Sequence, residues 1–184
     1  GSFNLIEYRG GNNVTVTTLK LREEILDELH DNLLLFFTKR SRSSESIIED
    51  QMTRYIKGDP EVVEAFKQQK QLTYQMKDAL VEGRLDDFAE ILHQSWIIKQ
   101  KYSPLIADQW LSKVYQKARE AGAIGGRISG AGGGGFIMLY TKPESKYQVI
   151  KQMTQLGCEH VHYAWEPRGL RTWIISIKQG KTCL

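Results

Sequence analysis

The run Gly125-Gly126-Arg127-Ile128-Ser129-Gly130-Ala131-Gly132-Gly133-Gly134-Gly135-Phe136 is the part of the sequence where chemistry is most legible. Seven of the 16 glycines in the chain lie between Gly125 and Gly135. Glycine costs conformational entropy and packs no side chain, so four in succession belong where backbone must approach a partner closely. Successive amide N–H groups in such a run can form a concave seat for an anion, and phosphate is the natural guest. Two standard phosphate loops do not fit. A dinucleotide fingerprint needs a strand before the glycines and a helix after, and a Walker loop closes on Gly-Lys-Ser/Thr at a helix start. Here the pattern predicts a helix before and a strand after, and no Gly-Lys-Ser or Gly-Lys-Thr occurs in the loop. A flexible bend between helix and strand is the bland alternative, although a bend rarely requires four consecutive glycines.

Other candidate groups are more scattered. Lys39, Arg40 and Arg42, interleaved with Ser41, Ser43 and Ser44, precede a predicted helix. Helix N-termini attract anions, so Arg42 could meet a sugar phosphate. The competing reading is a solvated loop with a serine cap. Trp96 fits an apolar helical stripe and is expected in the core. Lys99, three residues on, could reach a substrate cleft. His160 and His162 share one face of a predicted strand, but two imidazoles make a poor zinc site without further ligands, and no metal is assigned. His93 reads as an ordinary helix residue. No Ser-His-Asp order or paired-carboxylate signature stands out among the 22 acids.

The elements that must position these residues follow from periodicity. Residues 3–8 and 13–20 read as two strands around Gly10-Gly11-Asn12-Asn13. Glu23–His30 is ambiguous, with a helical turn as the reading. Asn32–Thr38 is a buried-strand pattern. Four helical stretches follow. Ile48, Met52, Tyr55 and Ile56 form the first stripe. Val63, Phe66, Met76, Ala79 and Leu80 form the second, opened by Asp59-Pro60 and closed by Gly83. Leu85, Phe88, Leu92 and Trp96 mark the third, and Ile106, Trp110, Val114 and Ala118 the fourth. Phe136–Thr141 is a second buried strand. Pro143 opens a helix with Tyr147, Ile150 and Met153 inward and Gly157 as its stop. Val161, Tyr163 and Trp165 alternate as a strand, and Leu170–Ile177 returns as the last one. The order predicts an α+β fold: a ferredoxin-like antiparallel sheet with an inserted set of helices.

Composition bounds the function. The 184 residues are 41% hydrophobic and 26% charged, the mix of a globular chain with a real core. Net charge is only +3, from 25 basic and 22 acidic residues, too weak a footprint for nucleic acid. The aromatics Phe36, Phe37 and Phe136 lie in runs that read as buried, which argues against an RNA-stacking sheet. Cys158 and Cys183 show no metal spacing and suit free thiols in a reducing, cytoplasmic setting. No apolar run is long enough to span a bilayer. The opening Gly1-Ser2 reads as an expression scar, and Phe3–Tyr8 already reads as a strand, so the chain is expected to be cut from a longer protein.

The segment Gly125–Phe136 closely resembles the third motif of the GHMP small-molecule kinases, a superfamily that includes galactokinase, homoserine kinase and mevalonate kinase. Leu92-His93-Gln94-Ser95-Trp96-Ile97-Ile98-Lys99, Ser103, Gly122-Ala123-Ile124-Gly125-Gly126, Phe3–Tyr8 and Leu33–Thr38 look like the branch containing D-glycero-D-manno-heptose 7-phosphate kinase. The resemblance runs over nearly the whole chain. It implies residues 1–20 as strands from the end of an N-terminal kinase domain and residues 21–184 as the GHMP C-terminal domain. The N-terminal domain's Gly-Leu-Gly-Ser-Ser type ATP loop and metal-binding groups have no counterpart here.

By that resemblance Arg127, Ser129, Gly130, Ala131, Gly132, Gly133, Gly134 and Gly135 form the nucleotide-phosphate loop. Arg127 stands where many members carry lysine. Arg42 and Lys99 are the candidate sugar-phosphate contacts, and no catalytic or metal-binding residue is assigned. The implied reaction moves the ATP γ-phosphate, with Mg2+, to a hydroxyl of a sugar or sugar phosphate, heptose 7-phosphate being the favoured acceptor. The missing N-terminal domain is the implied partner, with neither nucleic acid nor membrane involved. The segment alone is expected to be inactive and to hold no cofactor tightly. A non-catalytic ferredoxin-like regulatory or anion-binding module is the alternative.

Overall fold

A computed structural model describes residues 2–40 and 43–175. The chain divides into two compact units, Gly1–Leu19 with Trp165–Leu184, and Lys20–Ala164. In the first unit β1 (Asn4–Tyr8) pairs antiparallel with β2 (Val14–Thr18) in the register Asn4↔Thr18 to Tyr8↔Val14. The connection closes with Arg9 N–H donating to the Asn13 carbonyl at 3.0 Å. In the same unit the Phe3 ring meets Trp165 edge-on at 5.2 Å. Residues 170–175, expected as the start of the last strand, form no strand, and Ser176 and Ile177 lie outside the described residues.

The second unit is built on a four-stranded antiparallel sheet. Its strands are β3 (Leu33–Phe37), β4 (Ala123–Ile128), β5 (Phe136–Thr141) and β6 (Glu159–Val161), in the order β4-β5-β3-β6. This is the ferredoxin-like order that the sequence predicts. Helices α2 (Ser44–Ile56), α3 (Pro60–Glu82), α4 (Leu85–Lys99) and α5 (Gln109–Glu120) are inserted between β3 and β4, and α6 (Pro143–Gln155) joins β5 to β6. Phe36, Ile137 and Leu139 are fully buried in the sheet, with Trp96, Val114, Val149 and Met153 from the helices packed in the same core.

Several local expectations change in the folded chain. Glu23–Asn32 is a full helix, α1, because Ile25, Leu29 and Asn32 recur at helical spacing and all are buried. The stripe expected on α2 faces outward. Ile47 is 1% exposed, whereas Ile48, Met52, Tyr55 and Ile56 are 47%, 57%, 51% and 77% exposed and line a shallow groove with Phe66. On α6 Val149 and Met153 are buried and Ile150 packs against the core as expected, whereas Tyr147 lies in solvent. The strand expected to reach Trp165 ends at Val161. The caps follow expectation: the Asp59 carboxylate accepts from the Glu61 N–H, Pro60 opens α3, and Gly83 closes it at φ +76°. No helix among the described residues is long and apolar enough to cross a membrane.

Candidate functional site

The glycine cluster divides into two parts with different tasks. Gly125 and Gly126 lie within β4, so the turn joins two antiparallel strands and not a helix and a strand. Their lack of side chains is a packing requirement. A Cβ at Gly125 would overlap the Ala89 carbonyl of α4, and one at Gly126 would overlap the Met138 carbonyl of β5. Helix α4 therefore rests directly on β4. The Tyr115 hydroxyl donates to the Gly126 carbonyl at 3.2 Å and meets His93 Nδ1 at 2.8 Å, tying α5, α4 and β4 together. That assigns His93 a structural partner that periodicity alone could not show.

The second part, Ser129–Gly135, is the turn itself. Gly130, Gly132, Gly133, Gly134 and Gly135 all have positive φ. The requirement is sharpest at Gly132 and Gly134, with φ +121° and +135°, where a Cβ would stand 2.9 Å from Ile106 Cγ2 and 2.5 Å from the Arg40 carbonyl oxygen. The turn is fastened from several sides. Gly133 N–H donates to the Ile106 carbonyl at 2.7 Å, and Gly135 N–H donates to the Arg40 carbonyl at 2.7 Å. The Thr38 N–H and hydroxyl both donate to the Gly135 carbonyl, at 2.8 and 2.9 Å. Ser129 N–H donates to the Phe136 carbonyl at 2.8 Å. The Lys99 ammonium donates to the Gly130 carbonyl.

These bonds leave a definite remainder. The N–H groups of Gly130, Ala131, Gly132 and Gly134 have no acceptor among the described residues. Ser129 and Gly130 are exposed, Ala131 and Gly132 half-buried and Gly134 buried. Fixed backbone donors of this kind at a turn suit an oxyanion.

A cationic layer lies behind the turn. Lys99 is 7% exposed. Its burial, together with the Arg127 charge, pulls its ammonium down to about 8. Arg127 is also held below its ordinary value by burial and donates to the Ser95 hydroxyl at 3.3 Å. Gln69 donates to the same hydroxyl at 2.5 Å. Burial pushes the nearby Tyr102 phenol up to about 12, and its hydroxyl lacks a hydrogen-bond partner among the described residues. No carboxylate pairs with Lys99 or Arg127 among the described residues.

The other sequence candidates fall as follows. Arg42 lies outside the described residues. Its neighbour Arg40 stacks its guanidinium 4.0 Å from the centre of the Trp110 ring while its carbonyl holds the turn. Lys99 was expected at a sugar phosphate; the structure buries it with its ammonium on the turn backbone. Trp96 is core, at 1% exposed. His160 and His162 lie ring to ring at 5.1 Å, and no group of three His, Cys, Asp or Glu side chains gathers as a metal site among the described residues. Sequence spacing gave no signal for Thr38, Arg40 and Ile106 as the supports of the turn.

Comparison with known proteins bears on the family and the fold. Residues 76–157 match the family described as GHMP kinases C terminal. The chain is 31% identical over 175 residues to the D-glycero-alpha-D-manno-heptose 7-phosphate kinase of Campylobacter jejuni, covering 95% of this chain and 51% of that protein. Among solved structures it resembles a D-glycero-D-manno-heptose 1-phosphate kinase from Bacteroides thetaiotaomicron, with a TM-score of 0.60, 28% identity, and coverage of 88% of this chain and 41% of that one. Leishmania major mevalonate kinase shares the fold, with a TM-score of 0.69 at 15% identity over 84% of this chain and 45% of that one. The chain spans about half the length of the curated heptose kinase it matches. Over residues 76–157 the chain matches a GHMP kinase C-terminal domain.

Proposed function

We propose that this chain is the C-terminal part of an ATP-dependent sugar kinase, and that its turn 129–135 seats the nucleotide phosphates. The observation that carries the proposal is the set of four N–H groups without an acceptor among the described residues, at Gly130, Ala131, Gly132 and Gly134, on a turn whose other bonds are already made. Preorganised donors of this kind stabilise the charge that develops during phosphoryl transfer without reorganising. Ser129 lies at the exposed rim, where its hydroxyl can add a donor. Gly133 and Gly135 contribute shape, since their N–H groups are spent within the chain. Arg127 acts from the second layer, adding positive potential beneath the phosphates.

The acceptor we propose is a sugar phosphate, with heptose 7-phosphate first. The similarity to a relative named for that activity supports this choice. Arg42 is the proposed direct contact to the acceptor's phosphate, while Lys99, with its ammonium on the Gly130 carbonyl, serves the nucleotide side of the turn. The described residues gather no carboxylate or imidazole set for Mg2+, so the metal and the group that activates the acceptor hydroxyl are assigned to the rest of the whole protein. On its own the segment lacks activity.

The test is phosphoryl transfer by the whole protein from γ-labelled ATP to a panel of heptose 7-phosphate, galactose, fucose and mevalonate. The expected result is label in the heptose phosphate and none with the 184-residue chain alone. Absence of transfer to every sugar and sugar phosphate would refute the proposal.

A further inference from the structure

Resting on that reading of the turn, we infer that Lys99 is a positioning residue, whose buried ammonium turns the Gly130–Ala131 peptide so that the Ala131 N–H faces the nucleotide phosphates. The geometry follows from peptide planarity. The peptide is trans, and in a trans unit the carbonyl and the following N–H point in opposite directions. The Lys99 ammonium, at the C-terminal end of α4, holds the Gly130 carbonyl from inside the chain. The Ala131 N–H is thereby aimed away from Lys99, toward the side of the turn where Ser129 and Gly130 are exposed. Gly130 has no side chain to restrict rotation about its own ψ, so the Lys99 ammonium on its carbonyl is what fixes the direction of the Ala131 N–H among the described residues.

A second observation points the same way. Lys99 and Arg127 are neighbouring cations, one buried and one half-buried, and no carboxylate neutralises them among the described residues. Buried charge without a counter-charge is costly. A purely structural lysine would be expected beside an acid. Here the compensating negative charge is supplied from outside, by the oxyanion that the turn receives. Lys99 thus does two things for one ligand: it orients a donor and adds unneutralised charge behind it.

The test uses the whole protein and calorimetric binding of ATP and AMP, which differ in the β- and γ-phosphates. Lys99→Met keeps the length of the stem and removes the charge. It is expected to weaken ATP at least about tenfold while AMP changes less than about twofold. The acceptor KM should stay level. A lysine serving only the fold would lower the melting temperature and leave the ATP-to-AMP ratio unchanged, and that result overturns the inference. Gly134→Ala is the companion variant, because it disturbs the turn directly. If it weakens ATP and Lys99→Met does not, the positioning role fails and the phosphate reading of the turn stands. If neither variant affects ATP, the phosphate reading itself has failed, and the inference with it.

Discussion

The Gly135 N–H and the Arg40 carbonyl meet at 2.7 Å, joining the end of the glycine turn to the basic segment that follows β3. The two segments are 95 residues apart in sequence and form a single piece of backbone in space. The contact is so close that the Arg40 oxygen stands 2.5 Å from where a Cβ on Gly134 would be. The shape of the turn is thus set by the residues just past β3 as much as by its own glycines.

Gly134→Ala should be costly for this reason. At φ +135° alanine is strained and its methyl meets backbone that cannot move without breaking the Gly135–Arg40 bond. Strain of about 1–3 kcal/mol is expected. Urea unfolding of the chain would measure it, and an unchanged midpoint would show that the turn relaxes freely.

The two faces of α2 offer a sharper comparison. Ile47→Ala empties a site that is 1% exposed and should cost about 2–5 kcal/mol. Ile48→Ala, at 47% exposed, should stay within about 0.5–1 kcal/mol. The order would reverse if the stripe suggested by residues 48, 52, 55 and 56 faced the core.

Asp59 gives a pH prediction. The Arg54 guanidinium bonded to it at 2.8 Å, aided by the Glu61 N–H, holds its carboxyl below the ordinary value of 3.8. A depressed native pKa stabilises the fold above the unfolded value, and that stabilisation disappears as pH falls through the native one. The stability gap between the native chain and Asp59→Asn should be constant from about pH 7 to 5 and close below about pH 4. Denaturant titrations at several pH values would check this, and a gap that persists into acid would contradict it.

Much of this was legible in the sequence, for identifiable reasons. Asp59-Pro60 and Gly83 set the bounds of α3 because capping is local chemistry. The glycine run disclosed a tight turn, because positive φ and the close approach of Ile106 and Arg40 at Gly132 and Gly134 exclude side chains there. Periodicity failed where tertiary partners decide. The α2 stripe is helical in spacing, but Ile47 on the adjacent face is the one that meets the core. Gly125 and Gly126 read as part of a loop because their reason for being glycine is Ala89 of α4 and Met138 of β5. Lys99 could be placed on a helix, but its contact with Gly130 spans 31 residues and depends on α4 lying against β4. The strand expected through Trp165 stops at Val161 because only Glu159–Val161 find partners on β3.

The most direct test of the phosphate-seating turn is amide NMR on the isotopically labelled whole protein during titration with ATP. The resonances of Gly130, Ala131, Gly132 and Gly134 should shift on saturation, and those of Gly133 and Gly135, whose N–H groups are already bonded to Ile106 and Arg40, should shift much less. Saturating ATP binding that leaves all four of the first group in place would contradict the assignment of this turn to the nucleotide.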